Sequence, residues 1–366
     1  MKNYIAALRF PLAVCVVMIH AYTTEWQAVT ATAGGGHTAL GLVATLLSHV
    51  LPSFAVPLFF AISGYLFFLN ARDFSLHTYG KKLSRRVRTL LVPYVVWTAV
   101  ALLLYALRDM HGLPSLHRVT AVLSASWAHH GGFDSLWGCT PMGKGFRHIL
   151  GFWVHATTGP ALQPLWFVRD LMVVALLTPV VYRLLRHFGF WGLLVPALLH
   201  YGHLWPNLGG ISAEGLWFFS LGAWMSIRQI DPVAATRRLL QPTVLLSVPA
   251  AVCLLAFGNG PFHGAVQALY HYAAMTLAVQ AAAGWCSTCK PSQWLSESAF
   301  FVYAAHIIVL SPVAHYARAL TLHAPWHWQL VGYLAAPAAA LTVCLLAYRF
   351  LSNTSHFWPL GVKERE

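Results

Sequence analysis

Apolar segments follow one another along almost the whole chain, separated by short polar connections. Hydrophobic residues make up 58% of the sequence and charged residues only 9%, whereas soluble domains carry roughly 25% charged residues. An apolar run of about 20 residues crosses the hydrocarbon core of a bilayer as a helix, which satisfies its own backbone hydrogen bonds there. The sequence therefore predicts an all-α, polytopic transmembrane protein.

The distribution of Lys and Arg predicts how these helices are oriented. Both residues accumulate in cytoplasmic loops, and here most of them fall on one set of alternate connections, of which 70–88 is the richest. This places the N- and C-termini in the cytoplasm and explains the net charge of +13 without a nucleic-acid partner. The predicted spans are ten: 5–23, 46–69, 89–107, 165–185, 188–205, 213–227, 242–258, 264–285, 299–320 and 328–350.

The chain shows no internal repeat, so we predict a single membrane-embedded domain over 1–366. Its long connection, near 108–164, is extracytoplasmic in this topology and rich in His, Gly and Trp. Connections of this length are usually functional or disordered. The aromatic content, including the run Phe146 to Val154, fits either re-entrant packing as a lid over a cavity or a belt at the membrane interface. A cleaved signal peptide over 1–33 is the competing interpretation of the N-terminus.

Arg9 and His20 are the ionisable residues of the first apolar segment. Eleven residues at about 100° each return to within roughly 20° of the starting direction, so both side chains share one helix face, roughly 16 Å apart along the axis. Ionisable residues inside spans are costly and are functional hypotheses by default. Hydrogen bonding between helices is the alternative role for such a histidine.

The most basic stretch runs from Lys81 to Arg88. If the third helix begins early, Lys81, Arg85 and Arg88 share a face while Arg86 lies to the side. A cluster of this kind binds phosphates through charge-assisted hydrogen bonds. Contact with anionic lipid headgroups is the alternative.

The six cysteines give little indication of metal or redox chemistry. Cys286 and Cys289 form a single Cys-x-x-Cys pair, which without a second pair is weak support for a metal site. We therefore predict no metal site. Haem binding by two of the 20 histidines would require a pair facing each other across helices.

Five segments, in order, are similar to the acyltransferase 3 family of integral-membrane O-acyltransferases. They are LRFPLAVCVVMIHAY (8–22), VPLFFAISGYLFF (56–68), RRVRTLLVPYVVW (85–97), LWFVRDLMVVALLTPVVY (165–182) and FFVYAAHIIVL (300–310). The family hallmark, Arg or Lys followed after ten residues by His, is matched by Arg9 and His20. Its Arg-x-Arg element is matched by Arg86 and Arg88.

The resemblance implies an acyl-CoA donor, usually acetyl-CoA, taken from the cytoplasm, and a hydroxyl acceptor on an extracytoplasmic or lipid-linked glycan. It implies a multi-pass protein of the inner (cytoplasmic) membrane, with no permanently bound cofactor. CoA phosphates would stop at Arg85, Arg86 and Arg88, because a polyanion cannot enter hydrocarbon.

Within this resemblance, Arg9 and His20 are the predicted catalytic residues. A neutral His20 would take the proton of the attacking hydroxyl as general base, or would form an acyl-histidine intermediate. Glu25 is a weaker candidate to orient it. Possible substrate or oxyanion contacts are Ser63, Tyr65 and the amides near Gly64, together with Trp166, Asp170 and His306, of which His306 matches a family histidine.

A transporter or flippase of a lipid-linked sugar is the alternative function, because charges that line a cavity suit both classes. Transporters often show internal repeats with interrupted helices at corresponding positions, and this chain shows none. Its spans also carry very few acidic residues for ion coupling. The sequence therefore favours the enzyme.

Overall fold

The computed structural model describes residues 2–23, 26–27, 39–69, 74–108, 146–149, 152–155, 160, 162–205, 210–257, 260–353 and 358–361. Helices account for most of these residues. In chain order they are α1 (Lys2–Ile19), α2 (Ala39–Thr45), α3 (Ala55–Phe68), α4 (Leu76–Arg86), α5 (Val92–Arg108), α6 (Trp166–Leu176), α7 (Thr178–Phe188), α8 (Leu194–Tyr201), α9 (Ala213–Ile227), α10 (Pro232–Arg237), α11 (Leu240–Ala256), α12 (His263–Thr288), α13 (Gln293–Thr321) and α14 (Trp326–Leu351).

Two short strands form an antiparallel hairpin, β1 (Phe146–Ile149) with β2 (Phe152–His155). Among the described residues this hairpin is the departure from an all-α fold. It falls on the run Phe146 to Val154, for which re-entrant or interfacial packing was predicted. Most of the 108–164 connection lies outside the described residues, so its roles as a lid or as an interface belt stay predictions.

Apolar helices confirm the predicted class. Among the described residues, four helical stretches are long and apolar enough to cross a membrane, and a fifth is a pair of helices bent by 61°. The straight candidates are Ala39–Phe68, Leu76–Leu104, Gln293–Thr321 and Trp326–Leu351, and the bent pair is Gln163–Leu176 with Thr178–Tyr201. Each of the ten predicted spans overlaps helix, but the count of ten and the cytoplasmic termini stay predictions.

The bent pair corrects one predicted boundary. The sequence placed a break between 185 and 188, whereas the sharp bend falls at Leu177, immediately before α7. Pro179 stands in the first turn of α7. A proline there has no amide hydrogen to donate to the carbonyl of Ala175, which accepts from the Thr178 hydroxyl instead, so the helical hydrogen-bond ladder is interrupted at this point.

Two π-helical turns interrupt the apolar helices, at Leu46–Val50 and Val87–Leu91. The first joins α2 to the turn before α3, and the second joins α4 directly to α5. Each π turn inserts one residue into the helical register, and such insertions are frequent at functional sites. They change which side chains share a face in both stretches.

The described chain is organised as two compact units, the first formed by Met1–Phe59, Ile230–Trp358 and Val362–Glu366. In it, α1 packs against α12 and α13, α13 packs against α14, and α11 packs against α12. The π turn Leu46–Val50 contacts both α1 and α11. Helix α1 is thus enclosed by helices from the other end of the chain.

The second unit comprises Phe60–Gln229 and Pro359–Gly361. Here α9 packs against α6, α7 and α8. A Cβ at Gly64 would collide with the carbonyl of Phe219, and one at Gly222 with the carbonyl of Ala61. The backbones of α3 and α9 therefore touch, which is the close approach that small residues permit between membrane helices.

Candidate active site

His20 lies at the end of α1, in the turn that follows the last helical residue, Ile19. Its amide still donates to the carbonyls of Val16 and Val17, so it continues the helical path and keeps the predicted face in common with Arg9. The predicted span to residue 23 is too long. The helix ends before the β-branched Thr23, which has low helix propensity.

His306 lies within α13 and is 0% exposed. Its Nδ1 lies 2.6 Å from the backbone carbonyl of Tyr303. Because a carbonyl only accepts, Nδ1 carries the hydrogen and donates it, which leaves Nε2 with its lone pair in the neutral ring. The backbone of α13 therefore fixes both the orientation and the tautomer of this imidazole.

The two histidines meet. Their ring centroids lie 5.3 Å apart with the planes tilted by 39°. His20 is half-buried, and the Nε2 atom of His306 is buried without a hydrogen-bond partner among the described residues. Buried polar atoms in folded proteins almost always have a partner. An acceptor lone pair left open beside a second imidazole is therefore suited to hold a hydroxyl group or a water molecule.

Arg9 lies further back on the same helix, exposed on the surface of the unit. Its guanidinium interacts electrostatically with Glu297 of α13, and Gln293 Nε2 donates to Glu297 Oε1 at 2.9 Å. Arg9 precedes His20 on α1 as Glu297 precedes His306 on α13. The two helices therefore run parallel, with an electrostatic attraction between Arg9 and Glu297 at one level and the imidazole pair at the other.

A cluster of rings extends from the end of α1. Tyr22 lies 5.6 Å from the ring of His49 and 6.4 Å from that of Tyr333. Tyr333 is fully buried, and its hydroxyl lies 2.6 Å from Ser48 Oγ in the π turn Leu46–Val50. This hydrogen bond fixes the π turn to α14, so His49 is presented beside Tyr22 on a rigid support.

In the second unit, Asp170 accepts hydrogen bonds at both carboxylate oxygens. Oδ1 accepts from Arg169 Nε at 3.0 Å and Nη2 at 2.9 Å, and Oδ2 accepts from the Ser212 amide at 2.9 Å. Ser212 is the N-cap of α9. The hydrogen bond from the Ser212 amide to Asp170 thus holds α6 to the start of α9, which favours a structural role for Asp170; its substrate role stays a prediction.

Trp166 and the Ser63–Tyr65 stretch also belong to this unit. Trp166 begins α6 and lies 6.4 Å from the ring of Phe60. Ser63 is half-buried and Tyr65 is 6% exposed. The amides near Gly64 are in the interior of α3, where helical hydrogen bonds occupy them. The proposed use of these amides as oxyanion donors therefore does not fit the fold.

The basic cluster occupies the end of α4 and the π turn after it. Lys81, Arg85 and Arg88 are exposed, whereas Arg86 is half-buried over the ring of Phe67, 5.9 Å from its centroid. The Nζ atom of Lys82 lies 5.5 Å from the same centroid and donates to the carbonyl of Phe67. The exposures match the predicted separation of Arg86 from an outward basic face.

Two predictions cannot be placed. Glu25 and most of the 108–164 connection lie outside the described residues.

Within the described residues, no group of three or more His, Cys, Asp or Glu side chains is arranged to hold a metal ion. The Cys286 and Cys289 thiols are free cysteines.

Sequence reasoning did not single out Glu297, Ser48 or His49. Glu297 carries a weak signal, since it is an acidic residue at the start of an apolar helix whose later part matches a family segment. His49 stands in an apolar stretch, where an ionisable residue is a functional hypothesis by default. Neither signal identifies a partner, because both contacts join helices that are distant in the chain.

Comparison with known proteins bears on this arrangement. A family model described as an acyltransferase domain, Acyl_transf_3, matches residues 2–349. The succinoglycan biosynthesis protein ExoH of Rhizobium meliloti (strain 1021) is 27% identical over 253 residues, 67% of this chain. The match spans 60% of the length of that curated relative. No solved structure matches the chain significantly.

Proposed function

Because the chain belongs to the acyltransferase 3 family, we propose that it is a membrane O-acyltransferase that uses cytoplasmic acyl-CoA. The acyl group, acetyl by default, would pass to a hydroxyl of an extracytoplasmic or lipid-linked glycan. The observation that carries this proposal is the imidazole pair of His20 and His306, with ring centroids 5.3 Å apart. The name of the relative, a succinoglycan biosynthesis protein, supports a glycan as acceptor.

His20 is the general base of the proposed reaction. It takes the proton of the acceptor hydroxyl as that oxygen attacks the thioester carbon, and the C–S bond breaks with its electron pair on sulfur. Positioned proton transfer of this kind contributes roughly 10²- to 10⁴-fold. His20 is half-buried, and burial favours the neutral imidazole that this step requires.

His306 supports the base from a fixed position. Its Nδ1 is committed to the Tyr303 carbonyl, so only Nε2 is available to accept a hydrogen bond from substrate or water. Two imidazolium charges this close in a poorly hydrated site would repel each other. The pair therefore takes up a single proton at a time, which suits the removal of one hydroxyl proton.

Arg9 acts by positioning. Its interaction with Glu297 joins α1 to α13 below the imidazole pair and so sets the register in which His20 meets His306. A charge pair between two helices contributes little to the free energy of unfolding on its own. Its proposed role here is to align the rings of His20 and His306.

The outward basic face of Lys81, Arg85 and Arg88 is the proposed site of the CoA phosphates. Exposed guanidinium groups can form bidentate, charge-assisted hydrogen bonds to phosphate oxygens. Arg86 packs over Phe67, so it supports the end of α3, whereas Lys81, Arg85 and Arg88 are exposed at the surface. Binding to anionic lipid headgroups is the alternative for this face.

The test is acyl-CoA turnover by purified protein in nanodiscs, with mixed glycans as acceptors and CoA release as the readout. We expect His20→Ala to lose turnover but bind CoA, and Arg88→Ala to lose CoA affinity. His323→Ala and Arg238→Ala, both at exposed positions in turns, are the matched controls. Turnover by His20→Ala at the wild-type rate would refute the proposed base.

The same assay separates the remaining alternatives. Acid quenching with radiolabelled acetyl-CoA would trap label on the protein if an acyl-histidine forms, and none if transfer is direct. A wild-type protein that neither binds nor consumes acyl-CoA would favour the lipid-linked sugar transporter. Family membership favours the enzyme.

A further inference from the structure

His49 is an ionisable residue in an apolar helical stretch that the proposed mechanism does not yet use. It lies in the π turn Leu46–Val50, within the candidate span Ala39–Phe68. Its neighbour Ser48 is fully buried and bonded to Tyr333, whereas His49 itself is exposed. The π turn therefore anchors one residue and presents the next.

The side chain of His49 faces the end of α1. Its ring lies 5.6 Å from that of Tyr22, which is two residues beyond His20, and the π turn packs against α1. Because Tyr22 follows His20 by two residues and contacts the ring of His49, both imidazoles lie at the same end of α1. Three imidazoles thus follow one another in order of increasing exposure, from buried His306 through half-buried His20 to exposed His49.

The surroundings of His20 favour a proton carrier on the His49 side. His306 is fully buried and its Nδ1 is held by the backbone, so it offers no route to bulk solvent. Thr23 Oγ1, three residues beyond His20, is buried without a hydrogen-bond partner among the described residues. A buried hydroxyl of this kind marks a position for an ordered water.

We propose that His49 relays the catalytic proton from His20 to the aqueous phase, an inference that rests on the proposed acyl transfer. The acceptor O–H bond breaks and its proton goes to His20, while the new C–O bond forms and the C–S bond breaks. His20 then passes the proton, directly or through one water, to a ring nitrogen of His49, which releases it to water. The departing thiolate takes a proton from water at its own exit, so charge and protons balance over the cycle.

The relay gives His20 a way to regenerate without depending on the thiolate. In the proposed topology donor and acceptor come from opposite sides of the membrane, so the released proton and the departing thiolate need not meet. An exposed imidazole in ring contact with Tyr22, two residues beyond the base, supplies the outlet. Tyr22 lies beside this path, and the Ser48–Tyr333 hydrogen bond fixes the π turn that carries His49.

The test is chemical rescue of His49→Ala with free imidazole, using the intact protein in nanodiscs and acetyl-CoA turnover. We expect kcat to fall by roughly 100-fold, the lower end of the range for a positioned proton transfer, with KM for acetyl-CoA unchanged. Added imidazole should restore kcat in proportion to its concentration, because the exposed site admits it. The solvent deuterium isotope effect on kcat should rise in the variant and fall back on rescue.

His49→Gln and His323→Ala complete the experiment. Glutamine keeps polarity and bulk but carries no titratable nitrogen, so His49→Gln should be as slow as His49→Ala. His323, in the turn after α13 and exposed, should tolerate alanine with wild-type kcat and no response to imidazole.

Three outcomes would overturn the relay. These are a His49→Gln variant as fast as wild type, a slow His49→Ala that imidazole does not restore, and a loss that follows a lower melting temperature. If wild type is active and His20→Ala is inactive in the same preparations, only the relay fails. A wild-type protein without acyl transfer would overturn the proposed function and the relay together.

Discussion

Two clusters of buried polar side chains, one in each unit, differ in how many of their polar atoms have hydrogen-bond partners. In the second unit, both oxygens of Asp170 are occupied by Arg169 and by the amide of Ser212. In the first unit, His306 Nε2 and Thr23 Oγ1 are buried without partners among the described residues. Each buried polar atom without a hydrogen-bond partner lowers the free energy of unfolding by roughly 1–3 kcal/mol. A fully paired cluster stabilises the fold, whereas an incompletely paired one is suited to bind substrate or water.

The comparison explains why ionisable residues inside spans cannot all be assigned one role. Asp170 and His306 are both almost fully buried. Asp170 holds a helix start through Ser212, and His306 keeps one nitrogen open beside His20. Variants of the first should affect stability, and variants of the second should affect turnover.

The largest effect is expected at the open cluster, for His306→Phe. Phenylalanine preserves the ring volume in the core but removes the Nε2 lone pair, so acyl transfer should fall by roughly 10³-fold. Thermal unfolding in detergent should change little, because the loss of the Nδ1 hydrogen bond to Tyr303 is offset by the removal of an unpaired buried nitrogen. A variant that retains full turnover would remove His306 from the site.

The paired cluster should respond in stability instead. Asp170→Ala removes the buried carboxylate that accepts from Arg169 and from the Ser212 amide, which should lower the free energy of unfolding by roughly 3 kcal/mol. Thermal melting in detergent measures this, with exposed Asp231→Asn as the milder control. Turnover per folded molecule should persist, and a folded but inactive Asp170→Ala protein would favour its role in substrate binding.

Backbone contact in the second unit sets the next effect. Gly222→Ala forces a Cβ against the carbonyl of Ala61 and should cost roughly 2 kcal/mol through forced separation of α3 and α9. Gly284→Ala in α12 is the control, because a Cβ there meets nothing within 4 Å. Equal melting temperatures for the two variants would contradict this packing.

The basic cluster offers a comparison within a single helix end. Arg88→Ala should raise KM for acyl-CoA about tenfold, the equivalent of one charge-assisted hydrogen bond, and the effect should shrink in high salt. Arg86→Ala should act more on stability, since Arg86 packs over Phe67. Identical KM values for wild type and Arg88→Ala would leave lipid headgroups as the ligand of this face.

The smallest effect concerns the alignment of α1 with α13. Arg9→Ala and Glu297→Gln should each lower kcat modestly, and the double variant should lose no more than either one. The coupling should be roughly 0.5–1 kcal/mol, as for other partly exposed charge pairs. Strict additivity of the two losses would show that Arg9 acts without Glu297.

Local patterns predicted much of the fold. Apolar length predicted the helical segments, since each predicted span overlaps helix, and the helical path of α1 continues from Arg9 into the turn that holds His20. The boundaries were less secure. Periodicity does not register the bend before Pro179 or the π turns, because a single inserted residue leaves the apolar pattern nearly unchanged.

The sequence identified only part of the candidate site, for a similar reason. Arg9, His20 and His306 stood out by chemistry and by resemblance to a family, but Glu297 and His49 did not. Their importance comes from the packing of α1 against α13 and against the π turn Leu46–Val50. No spacing along the chain encodes these contacts.

The sequence by itself determined the class of this protein, a chain of apolar helices in the acyltransferase 3 family, because hydrophobicity and motif order are local properties. The tertiary structure decided which ionisable residues meet. It placed His20 against His306 and committed Asp170 to Ser212. Whether a buried polar atom finds a partner depends on helices that are distant in sequence, and only their packing determines it.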